Sequence, residues 1–223
     1  MSNLQHWPSA RLPDTRTLNG RFIRLEKLDA ARHADGLWTA LEGPGADPKL
    51  WDYLAVGPFT ERAAFNDYLV SLQASTDPWF YTVIDQENGT IDGFLSLMSI
   101  VPAQGRIEIG HVTFGASMQR TPKGTEAIYL LAKESFALGN RRLEWKCNAD
   151  NARSMKAAQR FGFTFEGTFR QHMVVKGANR NTAWFSIIDS EWPALGKAFK
   201  AWLDVDNFKD GEQIKTLAQL RSV

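Results

Sequence analysis

A chain of 223 residues with 43% hydrophobic and 23% charged residues suits one large globular domain with extensions. Its net charge of +1 leaves no electrostatic footprint for nucleic acid or for an acidic membrane surface. Cys147 has no second cysteine to pair with, no apolar run nears the roughly 20 residues of a membrane-spanning helix, and the opening MSNLQHWPSARLP lacks the apolar segment of a secretory signal, so a soluble chain in a reducing, cytoplasmic compartment is expected.

Residues 1–18 are polar, contain proline and show no period; they read as an extended arm. GRFIRLEKL, 20–28, alternates imperfectly and predicts a strand. In DAARHADGLWTALE, Asp29 is placed to cap a helix whose Ala30, Ala34, Leu37, Trp38 and Leu41 recur at helical spacing. GPGADPKLWDYLAVGPF is loop by its Gly and Pro content, and Thr60-Glu61 opens a second helix with Phe65, Tyr68, Leu69 and Leu72 on one face. The period then changes. WFYTVID (79–85), IDGFLSLMSIVP (91–102) and RIEIGHVTFG (106–115) predict an antiparallel meander, with Asn88-Gly89 as the first hairpin turn.

TEAIYLLAKESFAL, 125–138, is a helix with Ile128, Leu131, Ala132, Ser135 and Phe136 at core spacing. RLEWKCNA is a strand, and DNARSMKAAQRFGF a short helix ended by Gly162. TFEGTFRQHMVVKG and NTAWFSIIDSEW are two more strands, and WPALGKAFKAWL and the stretch around Ile214, Leu217 and Leu220 are amphipathic tail helices. The order β-α-α-β-β-β-α-β-α-β-β is that of an α+β domain, and its strand–helix–strand unit near 107–148 calls for one locally parallel pairing.

Three stretches carry chemistry. QRTPKGTEA, 119–127, is a tight turn into a helix N-terminus, where free backbone N–H groups and the helix dipole favour an anion. Read by itself it is a helix start with an early proline; a P-loop is excluded because Lys123-Gly124-Thr125 has lysine and glycine in the wrong order. DNARS places Asn151 and Ser154 one turn apart on a helix that Asp150 or Asn151 can cap. RIEIGHVTFG puts Glu108, Gly110, Val112 and Phe114 on one face of a strand and His111 on the other. No His/Cys/Asp cluster has metal spacing, so no metal is expected. Glu144 and Lys146 share a face and can pair, and nothing marks Cys147 as an activated thiol.

Together these stretches resemble the GCN5-related N-acetyltransferase (GNAT) family, and within it the branch that acetylates ribosomal-protein N-termini. The resemblance covers roughly residues 19–190, with 1–18 as an N-terminal arm and 191–223 as a C-terminal helical extension. It implies the GNAT fold: a mixed, mostly antiparallel central sheet flanked by helices. It also implies acetyl-CoA as co-substrate and an amine acceptor. The family's Gln/Arg-x-x-Gly-x-Gly/Ala loop corresponds to Gln119, Arg120, Thr121, Pro122, Lys123 and Gly124, with Pro122 replacing the first glycine and removing one donor. The resemblance assigns the Gln119–Thr125 loop to the pyrophosphate, with charge from Arg120 and Lys123. It assigns the backbone of Val112, Thr113 and Phe114, and the Asn151 amide, to pantetheine. Glu108 falls where a general base is expected. Ser154 is the candidate proton donor to the leaving sulfur, because the family's usual tyrosine position is Ala158. Trp51 and Tyr53 lie in the loop that this branch uses over the acceptor. Direct attack on the thioester follows, since Cys147 lacks an activating neighbour. A coenzyme-binding regulatory protein and an interaction module stay open beside the enzyme, as do a homodimer and the choice between a protein N-terminus and a small amine.

Overall fold

A computed structural model describes residues 4–119 and 121–221. Eight strands form one sheet: β1 (Leu18–Asn19), β2 (Ile23–Lys27), β3 (Trp79–Asp85), β4 (Ile91–Val101), β5 (Arg106–Phe114), β6 (Arg142–Asn148), β7 (Thr164–Val175) and β8 (Ala178–Ile188). Their order across the sheet is β1-β2-β3-β4-β5-β6-β8-β7. Every neighbouring pair is antiparallel except β5 with β6.

The two faces of the sheet are filled by different helices. Ile107, Ile109, Leu143, Trp145, Phe185 and their neighbours pack against α3 (Pro122–Ala137), α4 (Ala152–Phe161), α5 (Trp192–Leu203) and α6 (Leu217–Arg221). On the other face, Phe80 and Phe94 join Leu37 and Leu41 of α1 (Ala30–Leu41) and Phe65, Leu69 and Leu72 of α2 (Arg62–Ala74). Asp29 caps α1 by accepting from the Arg32 N–H, as its position predicts. Gly162, at φ +95°, ends α4 in the left-handed conformation that glycine takes without steric cost. None of the described helices is long and apolar enough to cross a membrane.

Some local expectations change. The β3–β4 connection is not a two-residue Asn-Gly turn: only Gly89 has positive φ, and the Asp85 carboxylate accepts from the Glu87 and Asn88 N–H groups to shape a longer loop. Helix α3 begins at Pro122, three residues early, because proline's fixed φ suits a first helical position. The tail contains, between its helices, a hairpin of β9 (Phe208–Lys209) and β10 (Glu212–Gln213). Its turn, Asp210-Gly211, has φ of +52° and +83°. The N-terminal arm is strapped to the body: the Ala10 N–H donates to Pro102 O, the Arg11 N–H to Leu138 O, and Arg16 pairs with Glu134 at 2.6 Å.

Helix α3 is fixed by a buried carboxylate. Glu126 accepts from the backbone N–H groups of Arg21, Phe22 and Ile23 at 2.7, 2.7 and 2.9 Å. Gly20 lies so close that an added Cβ would stand 2.4 Å from the Glu126 carboxyl carbon. Removing the acceptor strands three backbone donors, that of Ile23 in a fully buried residue. Glu126→Ala is therefore expected to cost about 3 kcal/mol, the scale of hydrogen bonds to a charged group, as a lowered urea midpoint.

Candidate active site

The site grows from a seam in the sheet. Strands β5 and β6 pair at Arg106–Arg142, Ile107–Leu143 and Glu108–Glu144 and, among the described residues, no further. Beyond that point β5 stays with β4 as far as Phe114, and β6 stays with β8 as far as Asn148. The sheet thus opens into a V whose β5 side is the edge formed by Ile109–Phe114. A strand edge of this kind presents backbone donors and acceptors to whatever fills the gap. Val112, Thr113 and Phe114 lie on this edge. Side chains touch it at two points: Thr113 Oγ1 donates to His111 O, and Gln119 Nε2 reaches Phe114 O at 3.5 Å.

Two helix N-termini flank the opening. At α3, Thr121 provides no side-chain cap, so the first-turn N–H groups have no partner within the helix. Gly124 keeps the turn close: a Cβ there would stand 3.3 Å from Met118 O and 3.8 Å from the Phe114 ring. Thr125 is buried and accepts from Arg160 at 3.0 Å. Lys123 does not present its charge freely to a ligand. Its ammonium pairs with Asp85 and with Asp92, the latter at 3.1 Å. Burial opposes that charge, but the two carboxylates prevail and raise the lysine's pKa. Arg120 lies outside the described residues. At α4, Asn151 Oδ1 caps the helix by accepting from the Ser154 N–H at 3.0 Å.

The Ser154 hydroxyl is not directed freely toward a coenzyme sulfur, as the sequence suggested. It accepts from Trp145 Nε1 at 3.0 Å and interacts with Cys147. Trp145 and Cys147 both belong to the core face of β6, and that packing draws Ser154 inward. Burial pushes the Cys147 thiol above its ordinary range.

Glu108 is the buried charge at the apex of the V. Only 2% of it is exposed, so it is not a surface carboxylate. Lys146, two residues past the last rung on β6, reaches back to Glu108 Oε2 at 2.9 Å, and Ser99 Oγ donates to the same oxygen at 3.2 Å. Lys146 therefore does not pair with Glu144, which is held by Arg142 at 2.7 Å and Arg106 at 3.5 Å. Burial raises the Glu108 pKa above the ordinary carboxylate range, against the pull of Lys146. Lys146 and Ser99 are site residues that the sequence did not reveal, since both reach Glu108 across strands.

His111 also lies where alternation did not put it. A bulge between the Ser96–Gly110 and Phe94–Thr113 pairs gives His111 a φ of +49° and turns it to the Glu108 face. There its Nδ1 lies 3.0 Å from Ser96 Oγ, and burial depresses its pKa to about 4, so the ring is neutral at pH 7. His111 lines a cavity of about 270 Å³ with Leu54, Val56, Tyr68, Leu72 and Phe80.

The 51–57 loop spans this face. The Lys176 ammonium, from the β7–β8 hairpin, donates to Trp51 O and Gly57 O, both at 2.9 Å. The Tyr53 hydroxyl donates to Asp150 O at 3.2 Å. Trp51 itself is fully buried against Phe59, so its ring builds the loop's base, while Tyr53 is half-exposed above the cleft.

The family model for an acetyltransferase (GNAT) domain matches residues 23–164. The chain belongs to the GCN5-related N-acetyltransferase family. A GCN5-related N-acetyltransferase of known crystal structure from Brucella melitensis is similar over 99% of this chain and 100% of its own, at 46% identity and a TM-score of 0.96. An uncharacterized N-acetyltransferase, p20, from Bacillus licheniformis is 26% identical over 153 residues, 66% of this chain and 84% of that protein. RimL, a ribosomal L7/L12 α-N-protein acetyltransferase, shares the fold at 21% identity and a TM-score of 0.66, over 78% of this chain and 94% of its own. The GNAT chain is thus an enzyme of the N-acetyltransferase class, for which acetyl-CoA is the family's co-substrate. No group of three His, Cys, Asp or Glu side chains among the described residues is arranged to hold a metal ion.

The Glu108–Lys146 pair sets a pH signature. A carboxyl whose folded pKa is raised holds its proton more readily in the folded than in the unfolded chain, so its contribution falls as pH rises from the unfolded value through the folded one. Removing the cation raises the folded value further and widens that window. Lys146→Met is expected to cost about 3–5 kcal/mol at pH 7.5, the scale for stranding one buried charge, and clearly less at pH 5. Urea titrations at both pH values check this; equal deficits would show that the lysine acts by packing.

Proposed function

We propose that this GNAT chain transfers an acetyl group from acetyl-CoA to a primary amine by direct attack in a ternary complex. One observation carries the reading: a strand edge free of its neighbour ends at a buried carboxylate, with an uncapped helix N-terminus alongside. Acetyl-CoA, when bound, supplies the activated acetyl thioester. The residues present fit it: the Val112–Phe114 edge offers backbone groups for an amide-containing arm, and the first turn of α3 at Gly124 and Thr125 offers N–H groups for phosphate. Gln119 stands beside that turn, and Asn151 stands at the opposite flank. Pro122 removes one donor, and Lys123 is already paired, so phosphate binding in this reading rests on the backbone and the helix dipole.

The acceptor amine must lose a proton as it attacks. Glu108 Oε2 is shared by Lys146 and Ser99, which leaves Oε1 to accept that proton, directly or through water. Burial lifts the basicity of Glu108, and the Lys146 ammonium opposes that rise. The neutral His111 lines the acceptor cavity and adds no like charge to an incoming ammonium. A covalent route through Cys147 is disfavoured, because its thiol lies in the core with a raised pKa. A leaving thiolate of pKa near ~8.5 departs without a strong acid, so Ser154, held by Trp145, is assigned to position α4. Tyr53 is placed to meet the acceptor, and Trp51 to shape the loop that carries it.

A screen with acetyl-CoA and a panel of amines, reading free thiol, tests the reading. Binding should also raise the melting temperature, because a ligand selective for the folded state stabilises it. Glu108→Gln is expected to lower turnover by roughly 10²–10⁴-fold with coenzyme affinity nearly unchanged. Wild-type turnover in that variant would remove Glu108 from the chemistry. Absence of both thiol release and thermal stabilisation at millimolar coenzyme would overturn the reading as a whole.

A further inference from the structure

The face of the sheet that carries Glu108 also carries an arginine whose Nε is buried without a partner. By the register, Lys146 of β6 stands opposite Trp184 of β8, and Asn148 opposite Thr182. Alternation then places Arg180, Thr182, Trp184 and Ser186 on the Glu108–Lys146 face. The three carboxylates that project from the strands here are taken: Glu108 by Lys146, Glu144 by Arg142 and Arg106, and Glu166 by Arg142 and the Ser186 hydroxyl. Arg180 has no ion pair and no hydrogen bond among the described residues, and its Nε is buried without a partner. Trp184 Nε1 is buried and unpartnered in the same way. A buried unpaired guanidinium nitrogen is costly, and native proteins leave such groups only rarely. The Thr182 hydroxyl is engaged by His172 at 3.0 Å, and the residue opposite Arg180 on β7 is Met173.

The position is as informative as the unpaired group. Arg180 lies on β8 between Trp184 and the hairpin whose Lys176 holds the 51–57 loop, so it sits on the strand that leads from the apex of the V toward that loop. The register sets Glu108 level with Glu144 and Ser186, so Arg180 lies six residues further along β8, about 20 Å at 3.3 Å per residue, and two strands across. The Glu108 and Arg180 side chains, reaching toward each other, close roughly half of that span. An acceptor whose amine is at Glu108 would therefore meet Arg180 with a group about three to four residues along an extended chain. A free amino acid, whose carboxylate is one carbon from its amine, is too short.

We propose that Arg180 anchors an anionic group of the acceptor, and that the acceptor class is a peptide N-terminus carrying an acidic side chain within its first few residues. Guanidinium is the side chain best matched to a carboxylate, which it can bind through two parallel hydrogen bonds. Trp184 Nε1 supplies a neutral donor on the way, suited to a peptide carbonyl. This assignment rests on the acetyltransferase reading above and specifies its acceptor.

The test uses the full chain, acetyl-CoA, and five-residue peptides with amidated C-termini that carry either Glu or Gln at positions three and four. Free thiol release gives kcat/KM for each. The wild type is expected to favour the Glu peptide by roughly 10–100-fold, the range for a charge-assisted hydrogen bond. Arg180→Ala should erase that preference by raising KM for the Glu peptide alone, and Arg180→Lys should keep part of it. Coenzyme affinity and activity on the Gln peptide should stay near wild-type in both variants, which also reports that they fold. Thiol release with no preference in the wild type overturns the inference and leaves the enzyme reading intact. So does an equal loss on both peptides in Arg180→Ala together with weakened coenzyme binding, which would place Arg180 with the coenzyme. No thiol release from any amine overturns both.

Discussion

Everything at this site follows from the early end of the parallel pairing between β5 and β6. Three rungs hold the two halves of the sheet together, and after Glu108–Glu144 the strands part. A strand edge left unpaired would normally be a liability, exposing backbone groups to any passing chain. Here the strands remain satisfied on their outer sides, by β4 and by β8, and the halves are held from below by one hydrophobic core. Ile107 and Ile109 of β5 and Leu143 and Trp145 of β6 share the same helices. The V can stay open because the rigidity it lacks in hydrogen bonds is supplied by packing underneath.

The charges above the seam are ordered by the same geometry. Lys146 lies past the last rung, so its nearest carboxylate is the one across the gap, and that pair ties the two strands at the point where they separate. Burying one such charge alone would be severe, and burying both is tolerable only because they meet. The balance leaves Glu108 more basic than an ordinary carboxylate, a property suited to taking a proton from an amine. His111 makes the contrast clear: it is buried on the same face, without an acidic partner and within the field of Lys146, and it is neutral.

The sequence reveals much of this frame and little of its electrostatics. Strands and helices were legible because their signals are local: Asp29 before a helix, Gly162 after one, aromatic and β-branched runs between. Glu108 was placed on the right strand by its motif. The face of His111 was not legible, because alternation assumes an unbroken pleat. The bulge that breaks it uses positive φ at His111, and a second break in β4 uses Ser99; neither carries the glycine that usually announces such a conformation. The partners of Lys146 and Ser154 were hidden for a different reason. Both depend on which strands lie side by side, which no spacing within one segment states. The tail hairpin was missed although Asp210-Gly211 marks its turn, because the apolar residues around Ile214 suggested a helix, which begins only at Leu217.

The start of α3 brings these strands of argument together. Two charged residues of its opening turns reach outward for partners: Lys123 toward the carboxylates of Asp85 and Asp92 on one side, and Glu126 toward the 21–23 backbone N–H groups on the other. Between them stand Gly124, without a side chain, and Thr125, whose hydroxyl is held by Arg160. The charged side chains at this helix end thus serve to fix the helix, and its free N–H groups are what remains to face a ligand. Such an end is less attractive to an anion than one with a loose lysine, but it is already in place. A ligand that binds it does not have to order a side chain first, and that saving in entropy offsets part of the missing charge and of the donor lost at Pro122. The departure of this loop from the family's glycine pattern is therefore consistent with a preorganised site, in which geometry set by one ion-paired lysine and one backbone-bound carboxylate substitutes for flexibility and charge.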